Sequence, residues 1–187
     1  EAAYIKENGF IALDSTTFLY SDDLIKLKYV LALINSKLMN AFYKAHYTDV
    51  NVKPEYLKKL PIPEIEADLM ETFSRRVDRI IELNELLSKE IKAFISTVSK
   101  RKNLKKITEK ITSYYSLEYA GFIDELKKQK VEISLKEDTE WNEFFNESKI
   151  KAASLKEEIL LVDEEIDSLV YELYGLTDPE IKIVEGE

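Results

Sequence analysis

The sequence predicts a mostly α chain (an α+β fold): a small β element near the N-terminus, then long antiparallel, coiled-coil-like helices with a helical insert. Three observations predict it. Charged residues make up 34% of the 187 positions while glycine and proline number four each, the composition of long solvated helices. Apolar residues recur at steps of three and four along two long segments. A hydrophobic share of 45% is enough for a buried core.

Taken in order, residues 10–20, FIALDSTTFLY, are rich in aromatic and β-branched types and are bounded by Gly9 and by Ser21, Asp22 and Asp23. That pattern predicts a strand or hairpin, the rim of a sheet whose remainder precedes Glu1. From Asp23 to about Tyr47 the residues Leu24, Leu27, Leu31, Ile34, Leu38 and Ala41 step at helical spacing, which predicts one helix. Val30, Leu33 and Phe42 widen its apolar surface, so it is expected to be buried on more than one side. Three prolines then interrupt Thr48 to Ile65 and bias Lys53, Leu60 and Ile62 towards extended backbone, leaving room for a short helical turn in PEYLKK.

The longest periodic segment follows. Met70, Phe73, Val77, Ile80, Asn84, Leu87, Ile91, Phe94 and Val98 form a heptad seam with Asn84 as its polar, register-fixing member. Ala152, Leu155, Ile159, Val162, Ile166, Leu169 and Leu173 repeat the alternation in a closing helix. Either the two seams pair antiparallel around an insert at about 99–149, or one seam dimerises with another copy. Within the insert a basic helix is expected over Lys100 to Tyr115. Beyond it Tyr114, Tyr115, Tyr119, Phe122, Trp141, Phe144 and Phe145 are expected to form a satellite core against the long helices. At the end, Gly175 stands where a left-handed cap would close the last long helix. Thr177 is placed to cap a short one, with Pro179 at its second position and Glu180 three residues on.

Composition removes several function classes. With no cysteine there is no disulfide framework or thiolate metal site, and His46 as the one histidine excludes a multi-His ligand set. No apolar run reaches membrane-spanning length, and the acidic N-terminus does not read as a signal peptide, so the expected location is cytoplasmic. The absence of an initial Met suggests a piece of a longer protein. The net charge of −9 is unevenly spread: residues 89–115 carry eight Lys/Arg against two Asp/Glu, and residues 131–187 carry five against seventeen. Such asymmetry suits one face for an anionic partner and another kept in solvent.

Several separated stretches resemble one family. VYELYGLT followed by EIKIVE, near the end of the chain, resembles the C-terminus of restriction-modification proteins with a TaqI-like C-terminal specificity domain, especially fused Type IIG restriction-methylation enzymes. LALINSKLMNAFYKAHY, Leu31 to Tyr47, resembles the helix that follows their recognition-domain strands. VKPEYLKKLPIPEI, Val52 to Ile65, resembles the exit from that domain into a long helix, and a similar leucine-proline exit occurs in Type I specificity subunits. SLKEDTEWNEFF through KAASLKEEILLVDEEIDSLVYELYGLT resembles the Type IIG helical tail. The order and approximate spacing agree, and together the stretches cover most of the chain.

The resemblance implies a non-catalytic part of a site-specific DNA adenine methyltransferase, with or without a fused endonuclease. Residues 1–64 would be the end of an incomplete DNA target-recognition domain and residues 65–187 a helical spacer or tail. Its partners would be double-stranded DNA and the methyltransferase and endonuclease domains of the parent. S-adenosylmethionine and Mg2+ would belong to those upstream domains, and no cofactor is expected in this chain. The sequence agrees by omission, having no NPPY-like tetrapeptide for a flipped adenine, no glycine-rich loop for the methyl donor and no convincing nuclease acids. The competing reading is a helical protein-interaction or oligomerisation module without direct DNA contact.

Two clusters are candidate DNA contacts. The first joins Tyr43, Lys44, His46, Tyr47, Thr48, Asn51, Lys53, Lys58 and Lys59, with lysines on phosphates and Asn51, His46 or a tyrosine on a base edge or the backbone. Its bland alternative is a solvated loop with inward aromatics, in which His46 is a helix-end cation. The second is Lys100, Arg101, Lys102, Lys105, Lys106 and Lys110, a basic helical ridge that would track phosphates. Its alternative is a connection paired with the acidic tail. Trp141 reads as a core anchor rather than a base-stacking ring. Glu157, Glu158, Asp163, Glu164, Glu165 and Asp167 read as solubilising surface rather than metal ligands.

Overall fold

Asp23 opens the first helix by accepting hydrogen bonds from the Ile25 and Lys26 amides, both at 3.0 Å, and α1 runs over Leu24–Asn35. In this computed structural model, which describes residues 19–47 and 53–186, the helix stops there. Ser36 turns to ψ 153°, its hydroxyl donates to Leu33 O at 2.7 Å, and its Oγ accepts the Met39 amide at 3.2 Å. It thereby caps α2, Lys37–His46. The single helix expected over Asp23 to Tyr47 is therefore two: a serine that satisfies both a carbonyl and an amide offers the backbone an alternative to helix. Pro54 at the first position starts α3, Pro54–Leu57, after an extended Lys53, and the segment 60–66 that follows is non-helical. The expected β element at residues 10–20 lies outside the described residues except for Leu19 and Tyr20, which are in no strand. Among the described residues there is no strand at all, so the described fold is helical rather than α+β.

Two helices dominate the rest: α4, Ala67–Lys102, and α7, Asp138–Tyr174. Between them lie α5, Glu109–Thr112, a 3-10 turn at Tyr114–Ser116, and α6, Tyr119–Lys128, and α8, Asp178–Glu185, ends the chain. The basic segment is not the helix expected over Lys100 to Tyr115. Asn103 adopts φ 48° and ends α4, so Lys105 and Lys106 lie in irregular backbone. The stretch TEWNEFFNES, expected within the insert, is instead the first part of α7. Among the described residues no helix is long and apolar enough to cross a membrane.

The chain divides into two compact units, each with its own core. The first comprises Glu1–Ile81 and Leu161–Glu187. Here Tyr29, Ala32 and Leu33 of α1 pack with Phe73 and Val77 of α4 and Ile166 and Val170 of α7. The Tyr29 and Phe73 rings lie 5.3 Å apart, and the Tyr29 hydroxyl donates to Pro63 O at 2.9 Å. Tyr174 donates to Pro61 O, so the proline segment is tied down by two tyrosines from different helices. Burial pushes the Tyr29 hydroxyl up to about 12, which keeps it a donor.

The second unit, Glu82–Leu160, is built on aromatic rings. Phe94 of α4 stacks on Tyr114 at 3.7 Å and 13° and on Phe144 of α7 at 5.4 Å, and Phe122 stacks on Phe145 at 5.1 Å. This is the aromatic core expected from the sequence. In this unit Phe94 meets Phe144 while Arg101 meets Glu140, so α4 and α7 run in opposite directions. The polar seam member is misplaced, however: Asn84 is exposed and Leu83 beside it is fully buried. Leu83 and Asn84 stand about 100° apart on the helix, and the leucine takes the buried side, where an amide would need partners, while Leu87, Phe94 and Val98 of the same seam stay buried.

These cores give a direct test. Phe73→Ala and Leu83→Ala are each expected to lower unfolding free energy by about 2–5 kcal/mol in urea titration, while Asn84→Ala, at an exposed position, costs under about 1 kcal/mol. A larger destabilisation at Asn84 than at Leu83 would reinstate the heptad register.

Candidate functional site

The first cluster forms where α2 ends. Tyr47 and Tyr56 stack at 4.2 Å and 14°, Tyr43 closes on Tyr47 at 5.0 Å, and its edge faces Tyr56 at 6.4 Å. Lys53 lies over the Tyr56 ring, 5.4 Å from its centroid. The Tyr43 hydroxyl is enclosed with no hydrogen-bond partner among the described residues. His46 is exposed, its ring stacked on Phe42 at 4.1 Å, and its Nδ1 lies 2.8 Å from Phe42 O in the tautomer that donates there. It shares the last turn of α2 with Lys44, whose ammonium is favoured there by the helix dipole. Lys44, Lys58 and Lys59 are exposed. Thr48 and Asn51 lie outside the described residues.

The tail fixes where α2 sits. Asp167 on α7, expected as solubilising surface, is instead buried, with its Oδ1 accepting the Lys37 amide at 2.8 Å. The Lys37 ammonium reaches Glu185 on α8 at 2.9 Å and Asp167 at 3.8 Å. Desolvation pushes the Asp167 carboxyl above its ordinary value against the pull of Lys37, whereas the hydrogen bond from Lys37 holds Glu185 below its own. Gly175, at φ 66°, ends α7 and turns the chain back, and Glu180 accepts from the Thr177 amide at 2.8 Å and its hydroxyl at 2.6 Å to start α8.

In the second unit the basic cluster divides. Arg101 pairs with Glu140 at 2.6 Å and Lys102 with Glu137 at 2.9 Å, while the Lys102 ammonium also lies 5.6 Å from the Trp141 ring centroid. These two cations are neutralised within the fold. Trp141, 3% exposed and edge-on to Phe144, is a core anchor. Lys100, Lys105 and Lys106 are exposed and form no helical ridge, since α4 has ended before Lys105. Lys127, Lys128 and Lys130 lie outside both clusters expected from the sequence, yet the fold brings their segment against Lys106. The Lys106 amide donates to Gln129 Oε1 at 3.0 Å. The KKQK run at 127–130 is the signal that marks them. Among the described residues no group of three His, Cys, Asp or Glu side chains converges as metal ligands would.

Two family models match the chain. Residues 1–62 match the TaqI-like C-terminal specificity domain, and residues 64–170 match the Domain of unknown function (DUF8810). No curated protein and no solved structure matches it.

The Lys102–Glu137 pair gives the second unit a definite acid response. The Lys102 hydrogen bond, with two more from Ser134, holds the Glu137 carboxyl down at about 2, against an ordinary 4.5. A depressed carboxyl stabilises the fold above the ordinary value and loses that contribution as pH falls from 4.5 towards 2. Urea unfolding followed across this window should show a shallower pH dependence for Glu137→Gln than for the unaltered chain. Equal slopes would mean that the pair is broken in solution.

Proposed function

We infer that the chain, which belongs to the family of the Domain of unknown function (DUF8810), is the DNA target-recognition end and helical spacer of a restriction-modification enzyme. In this reading the parent is of the Type IIG kind, a site-specific adenine methyltransferase fused to an endonuclease, working in the cytoplasm. The observation that carries the reading is the specificity-domain match at residues 1–62, followed directly by the helical family from residue 64. Recognition ends at about residue 64 and the spacer begins at about 65, and the chain itself takes no catalytic step. S-adenosylmethionine and Mg2+ are held by other domains of the parent, which with duplex DNA are the chain's partners.

The residues at the end of α2 suit this work. Lys44, Lys58 and Lys59 present ammonium groups to solvent, and Lys53 stands on an aromatic platform, as cations that meet phosphates do. Asn51 and His46 are the groups assigned to a base edge or the sugar-phosphate backbone. Changing Lys53, Lys58 and Lys59 together to Ala should weaken binding of a duplex in fluorescence anisotropy. The slope of log K against log salt should flatten by about 0.9 for each phosphate that is no longer neutralised. Unchanged affinity and slope would remove this cluster from the reading.

Self-association through the helices is the second reading, favoured by Leu160 and Leu161, adjacent on α7 and 50% and 54% exposed. Sedimentation at several concentrations decides it. A concentration-dependent dimer that disappears on Leu160→Gln with Leu161→Gln supports assembly, and an invariant monomer dismisses it.

A further inference from the structure

We propose that the second unit carries its own, sequence-blind phosphate-binding surface, made by the loop after α4 and the C-terminal end of α6. Two segments distant in sequence are pinned together there. The Lys106 amide is held by Gln129 Oε1 at 3.0 Å, the Thr108 hydroxyl by Glu125 at 3.4 Å, and the Lys102 ammonium by Glu132 O at 3.4 Å. The packing brings the loop that carries Lys105 and Lys106, with Lys110 after it, against the segment that carries Lys127, Lys128 and Lys130, although the whole chain carries a net charge of −9.

Local acids answer only part of this charge. Lys110 and Lys128 share the buried carboxylate of Glu125 at 3.8 and 2.6 Å, and Lys127 reaches Asp124 at 3.8 Å. Glu109 and Glu132, the other acids of these segments, are exposed. Lys100, Lys105, Lys106 and Lys130 are exposed and have no ion-pair partner among the described residues. Lys130 also sits at φ 60°, in the left-handed region where glycine or asparagine ordinarily closes a helix. Its neighbours make the usual closing bonds, with the Val131 amide on Leu126 O at 3.1 Å and the Lys130 amide on Lys127 O at 2.8 Å. A lysine kept in that conformation at the edge of a lysine cluster places one more cation where repulsion already disfavours it. A polyanion relieves that repulsion. The surface offers no aromatic face, since Trp141 is buried, and its cations are all lysines, point charges without the fork geometry that reads a base. Phosphate oxygens of duplex DNA are therefore the ligand, contacted without regard to sequence.

This inference rests on the DNA-contacting reading above, and the experiment separates the two. Anisotropy titrations of the 187-residue chain use two duplexes of unrelated sequence at several salt concentrations. Lys105→Gln, Lys106→Gln and Lys130→Gln together should weaken both duplexes alike, by about tenfold or more, and should flatten the salt slope. The matching triple Arg variant should restore both quantities, which a folding defect would not allow. If the Gln variant binds like the unaltered chain while the Lys53, Lys58 and Lys59 variant is weakened, the surface is refuted and the first cluster stands. Weakening confined to the Gln variant supports the surface and removes the first cluster. No duplex binding by the unaltered chain overturns both. Competition by poly-glutamate as effective as duplex at equal charge makes this a docking face for acidic protein and overturns the phosphate assignment.

Discussion

Asp167 places a carboxylate, out of water, against the first amide of α2, and the position of the first cluster depends on that contact. A ten-residue helix is marginal by itself, and its opening amides must find acceptors. Ser36 supplies one from the chain just before and Asp167 supplies another from α7, 130 residues away in sequence. Desolvating a carboxylate is costly, and here the amide bond, the Lys37 ammonium and the positive end of the helix offset the cost. Lys37 then engages Glu185, so α8 is drawn onto the same helix. The helix so held is the one that carries Tyr43, Lys44 and His46. Residues that resemble a family signature at the end of the chain thus act locally as the part that seats α2.

Much of this is legible in the amino-acid sequence, for reasons that are local. Gly175 and the Thr177–Glu180 pair punctuate helices by backbone freedom and short-range hydrogen bonds, which depend on residues within a turn. The aromatic core of the second unit is legible because seven large rings in a short stretch have few other places to go. The departures arise where a tertiary contact decides between two locally acceptable states. Ser36 is an acceptable helix residue until Asp167 supplies the amide acceptor that a new N-terminus needs. Leu83 and Asn84 are neighbours on one helix, and only the packing partner selects which faces inward. Lys105 and Lys106 continue a basic run that propensity would keep helical, but Asn103 turns left-handed and Gln129 captures the Lys106 amide. The candidate site is legible as a set of cations. Which of them the fold neutralises is not, because Glu137 and Glu140 approach from the far end of the insert.

That neutralisation changes the meaning of the charge asymmetry. Arg101 and Lys102 are consumed by α7, so the excess of lysines in residues 89–115 overstates what solvent meets from that stretch. The acids involved stand in the first turn of α7 or just before it, where negative charge is favoured, and the cations stand in the last turn of α4, where positive charge is favoured. Each pair therefore answers a helix end as well as its partner. Surface ion pairs contribute little individually. Lys102 is different, being largely covered by Trp141 and hydrogen-bonded to Glu137, so its charge serves the core rather than a ligand.

The cations left to solvent in both clusters are lysines, and this constrains what they can contribute. A lysine ammonium is a compact, strongly hydrated point charge that meets phosphate without the fork geometry that lets arginine select guanine. A lysine contact to phosphate can fix position and register on a duplex but carries no sequence information. The tyrosines of the first cluster pack on one another: the Tyr47–Tyr56 stack uses one face of each ring, and Tyr43 lies against both.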